Sequence, residues 1–387
     1  MLVGRKVTVV GAGVAGLAVA RALALRGAQV TVYEQSDSIR EVGAGLQISP
    51  NGVRVLSALG LAEALASVAP RGEAVALIDG PSGAPVAHMS LARGEYRFVH
   101  RGALITLLAE GARAAGVQFR FLQEVERVQL GAHPPRLITH QGAEIETELL
   151  IGADGLHSKV REALNGAAMP FFTHQVAWRA VIAAEPDAAA VAQVFMAPGR
   201  HLVSYPLGGG LRNIVAVEER RRWVEESWTR QDDPANLRAS FAGFCPKVQG
   251  WLDQVDAPML WGLFRHPVAV RWQGQGAAIL GDAAHPTLPF LAQGAVMALE
   301  DAWVLAERLS RHETAGAAFA SYKAARAPRC ARIVEAANAN ARNYHLGGVR
   351  RAVAHAGLRA VSALSPNALL DRFAWVHGFD ATEGAGG

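Results

Sequence analysis

Several short stretches carry residues able to hold a long, charged ligand. Gly11-Ala12-Gly13-Val14-Ala15-Gly16 spaces its glycines so that backbone N–H groups can approach a pyrophosphate, and a helix opening there adds a favourable dipole. Glu34, followed by Gln35, comes 18 residues after Gly16, where a carboxylate can accept hydrogen bonds from a ribose. Gly152-Ala153-Asp154-Gly155 and Gly281-Asp282 each set an aspartate just after an apolar run. His201-Leu202-Val203-Ser204-Tyr205-Pro206 spaces a histidine and a tyrosine four residues apart, which on a strand puts both on one face and lets them enter one pocket.

These residues need a scaffold that gathers them. Lys6 to Val10 is a β-branched strand, Gly11 to Gly16 a turn, Leu17 to Leu25 a buried helix and Gln29 to Tyr33 a second strand. A strand, helix and strand within about 30 residues predicts a parallel sheet with a right-handed crossover. Glu144 to Ile151 reads as one strand running into Asp154, with a helix from His157 to Leu164, and Ala277 to Leu280 as a buried strand running into Asp282. Both aspartates then stand at the carboxyl ends of strands, the edge of an open α/β sheet where ligands sit.

Val176 to Ala183, Val194 to Ala197, His201 to Leu207 and Asn213 to Val217 read as strands between Gly and Pro turns, an inserted antiparallel sheet. Beyond Gln293 the chain turns helical and Ala-rich over Ala295 to Leu309, Ala315 to Ala341 and Val349 to Ala363, and Glu383 to Gly387 is expected to be a disordered end. The expected class is α/β: a Rossmann-like dinucleotide-binding domain (1–72, 102–174 and 267–335), an antiparallel-sheet substrate domain (73–101 and 175–266) and a helical C-terminal region with a disordered tail (336–387).

Composition narrows the function classes. With 387 residues, 51% apolar and 19% charged, the chain can bury more than one compact core. Lys plus Arg exceed Asp plus Glu by only four, and the basic run Glu218-Glu219-Arg220-Arg221-Arg222 is mixed in sign, so no nucleic-acid partner is expected. Cys245 and Cys330 are too isolated for a disulfide framework or zinc site, and His285 has no partner at ligand spacing. No G-x-S-x-G turn supports a hydrolase. The opening residues lack a leader pattern and no apolar stretch reaches the roughly 18 residues of a membrane span, so a cytoplasmic protein without integral membrane contact is expected.

The order of these motifs resembles that of the class A flavoprotein aromatic hydroxylases, which include the para-hydroxybenzoate, salicylate and 3-hydroxybenzoate hydroxylases. The resemblance runs from Val7 to about Arg329. It implies FAD as cofactor, with Gly11, Gly13, Val14, Ala15, Gly16, Glu34 and Gln35 at its adenosine and pyrophosphate end. Gly152 to Arg161 is similar to the family's second motif, whose Asp154 is implicated in binding both FAD and the nicotinamide, and Gly281 to Pro286 to the third, whose Asp282 would hold the ribityl chain. Gly43 to Ile48, including Gly45 and Leu46, would flank the isoalloxazine, and Arg101 would lie near the phosphates or ribityl chain.

Pro289, Gln293, Gly294, Ala295 and Val296 lead into a helix whose N-terminal dipole would face the flavin pyrimidine edge; the family usually has Gly or Asn where Val296 stands. His201 and Tyr205 are similar to a segment of the hydroxybenzoate 6-hydroxylase branch and would face the substrate, His201 as the base that removes a phenolic proton and Tyr205 and Gln293 as orienting groups. Each residue also has a plainer reading: Asp154 as a helix cap, Asp282 as a turn aspartate, Arg101 as a surface helix-start arginine, His201 as a hydrogen-bonded core histidine.

The activity implied is hydroxylation of a small aromatic substrate, such as a hydroxybenzoate or hydroxynicotinate, by O2 and a transiently docked NADH or NADPH through a C4a-hydroperoxyflavin. The chain would act as a monomer or homodimer. Two alternatives stay open: oxygenation of a larger apolar ring such as a quinone precursor or polyketide, and a flavin-binding sensor without turnover.

Overall fold

The computed structural model describes residues 2–39, 44–131, 134–167, 169–220, 231–365 and 367–383. Gly43, Arg221, Arg222 and the tail 384–387, which entered the expectations above, lie outside the described residues.

A six-stranded sheet runs in the order Gln273–Gly274, Ala277–Ile279, Leu149–Gly152, Lys6–Val10, Gln29–Tyr33, Gln118–Arg120. Its pairings are parallel except at the Gln273–Gly274 edge. The central strands are buried on both faces, which is why they read as nearly continuous apolar runs, with Thr8 the buried polar residue in the first. The Val14–Ala24 and Gly294–Arg311 helices pack together against this sheet, and both contribute to the largest core.

The register decides what the sheet presents. Val10 lies beside Tyr33 and Gly152, and Gly152 beside Ile279, so four strands end level. Gly11, Asp154 and Asp282 therefore emerge from one edge.

A seven-stranded sheet follows the order Met259–Arg265, Phe171–Ala183, Leu211–Glu219, Arg200–Leu207, Val191–Ala197, Ala74–Asp79, Pro85–Ser90. One face packs Val176, Trp178, Leu202, Ile214 and Leu260 against the helices Pro234–Ser240 and Pro246–Leu252. The other face sets Ala177, Val217, Trp261 and Leu263 against Leu288 and Phe290, which arrive from beyond the third motif. That contact packs the sheet onto the segment that follows the parallel sheet's last motif.

Three details differ from the sequence reading. The inserted sheet is mixed, because Val191–Ala197 pairs in parallel with Ala74–Asp79. The stretch 144–151 is two strands, not one. Glu144–Glu146, whose charged residues are exposed, joins a separate three-stranded sheet with Arg136–Thr139 and Val125–Gln129, while Leu149–Gly152 is wholly buried in the parallel sheet. Thr147 makes the break, its N–H donating to Pro135 O at 3.0 Å and its hydroxyl to Leu149 O at 3.0 Å. Lastly, the helix expected from His157 is a short 3-10 turn, Gly155–His157, followed by the Lys159–Asn165 helix. No helix of the described residues is long and apolar enough to cross a membrane.

Candidate active site

The glycine turn is built by close backbone approach. A Cβ on Gly16 would lie 1.9 Å from Gly11 O, and one on Gly11 2.5 Å from Ala153 O, so neither position can carry a side chain without moving main chain. At Gly13 an added Cβ would meet nothing within 4 Å. The turn is thus tight against its own sheet and open outward, the shape a pyrophosphate needs. Val14 is buried in the helix it opens, and Ala15 packs towards the third motif, its Cβ being the nearest atom to a Cβ built on Gly281.

Glu34 holds the turn as well as its rim. Its Oε2 accepts from Ala12 N–H at 2.7 Å and its Oε1 from Ser36 N–H at 2.9 Å, while Gln35 beside it is exposed. Asp154 caps a helix: Oδ1 accepts from the Ser158 hydroxyl at 2.5 Å and Oδ2 from Lys159 and Val160 N–H at 2.8 and 3.3 Å. Arg161 from that helix donates to Ala283 O at 3.2 Å and Pro267 O at 2.5 Å, tying the second motif to the third.

Asp282 is exposed in its crevice although protein surrounds it; that crowding pushes its carboxyl up, against the pull of His285, Arg101 and His266. Arg101, at the start of the Arg101–Ala114 helix, is therefore brought to the same crevice as Asp282. The loop behind Asp282 is held by a charged cluster. Asp301 Oδ2 accepts from Gly281 N–H at 3.1 Å and meets His285 Nε2, while Asp301 Oδ1 accepts from Arg326 Nε at 2.7 Å. Arg326 also pairs with Glu300 at 2.7 Å, all groups being fully buried. Burial acts to lower the His285 pKa, but Cys330 and Asp301 outweigh it and hold the imidazole well above its ordinary value.

His285, Asp301 and Cys330 bring ligand-type atoms within 4.8 Å of one another, so the sequence reading that His285 lacks partners is corrected. Spacing along the chain could not show it, since Asp301 and Cys330 come from two helices. Arg326 already neutralises Asp301, which makes the cluster an ion-paired lock on the loop.

Gly45 touches the other sheet. Its N–H donates to Asn213 Oδ1 at 2.7 Å, and an added Cβ would sit 2.8 Å from both Tyr205 Cε2 and Leu207 Cδ2. Leu46, next along the strand Gly45–Ile48, is partly buried on the main core. After Pro289–Leu291, Ala292 takes a left-handed conformation (φ 53°) and Gln293 caps the Gly294–Arg311 helix, with Ala295 partly buried in its first turn. The Gln293 amide is spent locally: Nε2 donates to Ser49 Oγ at 3.0 Å, and Oε1 accepts from Asn51 Nδ2 at 3.2 Å. Val296 is fully buried and faces Gly52, whose added Cβ would lie 3.1 Å from both Val296 methyls. Its bulk is accommodated in the neighbouring helix.

Across the crevice, His201 and Tyr205 share a face of the Arg200–Leu207 strand, about 13 Å apart at the usual rise. His201 is 2% exposed, its ring 5.6 Å from Phe290 and 5.1 Å from Tyr344, and its Nδ1 is 2.7 Å from His345 Nε2. Burial, helped by His345, holds His201 well below the ordinary imidazole value. Tyr205 packs on Phe98 at 5.1 Å, and burial keeps its phenol protonated despite the nearby charge of Arg179.

Sequence reasoning missed Arg179. Its guanidinium lies 4.3 Å over the Trp261 ring, its Nε has no hydrogen-bond partner, and it makes no ion pair among the described residues. Burial lowers its pKa to about 10, so it remains a cation at neutral pH. An arginine alternating with Ala177 and Val181 on a strand was the available signal.

The site fits FAD: a backbone turn open where phosphates pass, a reachable carboxylate at Asp282, Arg101 beside it, and a helix N-terminus at Gly294. Comparison agrees. A family model for an FAD binding domain matches residues 5–337. The chain is 31% identical over 402 residues to the 3-amino-4-hydroxybenzoate 2-monooxygenase PtmB3 of Streptomyces platensis, covering 97% of this chain and 96% of that one. It is 33% identical over 358 residues to a 3-hydroxybenzoate 6-hydroxylase of Klebsiella oxytoca, covering 89% and 90%. Among solved structures, Klebsiella pneumoniae HpxO complexed with FAD and uric acid superposes with a TM-score of 0.84 at 26% identity, covering 95% of this chain and 96% of that one. The chain belongs to the FAD-binding domain family, among the class A flavin-dependent aromatic hydroxylases.

Proposed function

We propose that this flavin-dependent monooxygenase hydroxylates a small phenolic acid, using O2 and NADH or NADPH. The observation that carries the reading is one sheet face presenting Arg179, His201 and Tyr205 on the side that packs against the segment following the third motif. Bound FAD would supply the redox chemistry, accepting hydride and activating dioxygen for transfer of one oxygen atom.

The chain's own residues prepare the ring. Buried and neutral, His201 can take the phenolic proton, and the phenolate is far more nucleophilic than the phenol. Arg179 would pair with the substrate carboxylate, because a partly buried guanidinium whose Nε is shut off from water without a partner gains most from a bidentate anion. Tyr205, held protonated, can donate a hydrogen bond at the far end of that face. Gln293 would act by fixing the helix start at Gly294 through Ser49 and Asn51.

The test is NADH and NADPH consumption by the purified yellow protein across hydroxybenzoates, hydroxynicotinates and quinone precursors, with product identified by mass. Consumption stimulated by a phenolic acid and coupled to a product one oxygen heavier is expected. Stimulation by quinone precursors alone would overturn the substrate class.

A further inference from the structure

We infer that Glu219, His345 and His201 form a proton relay that fixes which nitrogen of His201 is the base and carries the substrate's phenolic proton out to solvent. This deepens the reading of His201 as the base and rests on it. His201 Nδ1 lies 2.7 Å from His345 Nε2, and His345 Nδ1 lies 2.8 Å from Glu219 Oε1. The His201 residue is 2% exposed and the His345 side chain also 2%, whereas the Glu219 side chain is 54% exposed, so the chain of contacts runs from the interior to water.

The backbone holds the three together. Gly199, in the hairpin turn before His201, accepts from Glu219 N–H at 2.9 Å and donates to His345 O at 3.2 Å. His345 itself ends the Ala315–Tyr344 helix. The contact therefore joins three segments at one glycine.

Donor rules set the protons. A carboxylate only accepts, so the neutral His345 ring carries its proton on Nδ1 and offers a lone pair at Nε2. That lone pair accepts from His201 Nδ1–H, leaving Nε2 of His201 as the bare nitrogen. The base is thereby specified by a carboxylate two rings away.

The transfer balances. The substrate O–H bond breaks as its proton joins His201 Nε2; the Nδ1 proton of His201 passes to His345 Nε2; the Nδ1 proton of His345 passes to Glu219 and then to water. The reverse sequence restores both tautomers and returns one proton to the product's phenolate oxygen. Burial disfavours a cation on either ring; Glu219 favours a charge on His345 and Arg200 opposes it. Passing the proton on keeps both rings neutral. The charged and titratable groups around the pair are Glu219, Arg200 with its partner Glu218 at 3.6 Å, and Tyr344.

Glu219 and His345 are positioning residues, and the test reads tautomers directly. In FAD-loaded protein labelled with 15N-histidine, long-range 1H–15N correlation spectra report the protonated nitrogen of each ring, with lines assigned through His201→Asn and His345→Asn. At pH 7.5 both rings should be neutral with the proton on Nδ1. Glu219→Lys, whose ammonium can only donate to His345 Nδ1, should move most of both populations to the Nε2–H form. A wild-type His201 protonated on Nε2 would overturn the relay without need of any variant, and so would unchanged tautomers in a folded Glu219→Lys. His201→Asn hydroxylating at the wild-type rate would instead remove the base role itself, whatever the tautomers.

Discussion

The crevice at the strand ends is made largely of main chain: Gly11 and Gly16 pressed against neighbouring carbonyls, Asp154 and Asp301 binding N–H groups, and a helix beginning at Gly294. The sheet face opposite is made of side chains from remote segments, with Arg179, His201 and Tyr205 backed by His345. Main-chain construction tolerates almost no substitution and serves a cofactor of fixed shape. Side-chain construction can be exchanged residue by residue, and it suits the part proposed to select the ring.

This contrast predicts its largest effects in the glycine turn. Gly16→Ala sets a Cβ 1.9 Å from a backbone oxygen and should cost more than about 4 kcal/mol, giving colourless, poorly folded protein. Gly13→Ala, with open space around its Cβ, should fold normally and lose only flavin affinity. Melting temperature and the flavin absorbance of the purified variants separate the two, and equal behaviour would erase the distinction drawn here.

The lock behind Asp282 comes next. Arg326→Met removes the cation shared by Glu300 and Asp301, leaving Glu300 only Arg329 and Asp301 only His285, and should destabilise by about 3–5 kcal/mol, read by denaturant unfolding. The same lock has a signed pH dependence. His285 is raised in the fold, so its contribution is complete below about pH 6.5 and is lost as pH climbs through the raised value. Asp301, shielded by burial yet held down by His285 and Arg326, contributes fully above about pH 4 and loses that on acidification. His285→Asn should flatten the alkaline side of the stability profile.

On the sheet face the effects are selective. Arg179→Leu should raise KM for a carboxylated phenol by about 10–150-fold, the worth of a charged hydrogen bond, while an uncharged phenol changes little. Equal losses for both would argue against carboxylate recognition. The smallest effect belongs to Val296→Ala: its methyls fill space against Gly52, so roughly 1–2 kcal/mol of stability should go with flavin affinity retained.

The same division explains what could be read from the chain. The stretch from Lys6 to Tyr33 was legible because strand, turn and helix are encoded in consecutive residues, and Glu34, Asp154 and Asp282 follow their strands directly. The break at Thr147 was not, because alternation and a continuous apolar run adjoin without a Gly or Pro between them. Nor was the parallel pairing of Val191–Ala197 with Ala74–Asp79, which depends on segments more than a hundred residues apart. His201 was singled out by the resemblance of its segment to the hydroxybenzoate 6-hydroxylase branch, with the spacing from Tyr205 placing both on one face, yet its partner His345 lies 144 residues away with no motif around it. Val296 stands where the family usually has Gly or Asn, and only the structure shows Gly52 making room for it.

The central claim is that the sheet face activates the substrate, and His201→Asn tests it most directly. Hydroxylated product formed per second at neutral pH, on a phenolic acid that stimulates the wild type, should fall by about 10²–10⁴-fold with flavin content and absorbance unchanged. Product formed at the wild-type rate by the flavin-loaded variant would contradict the account.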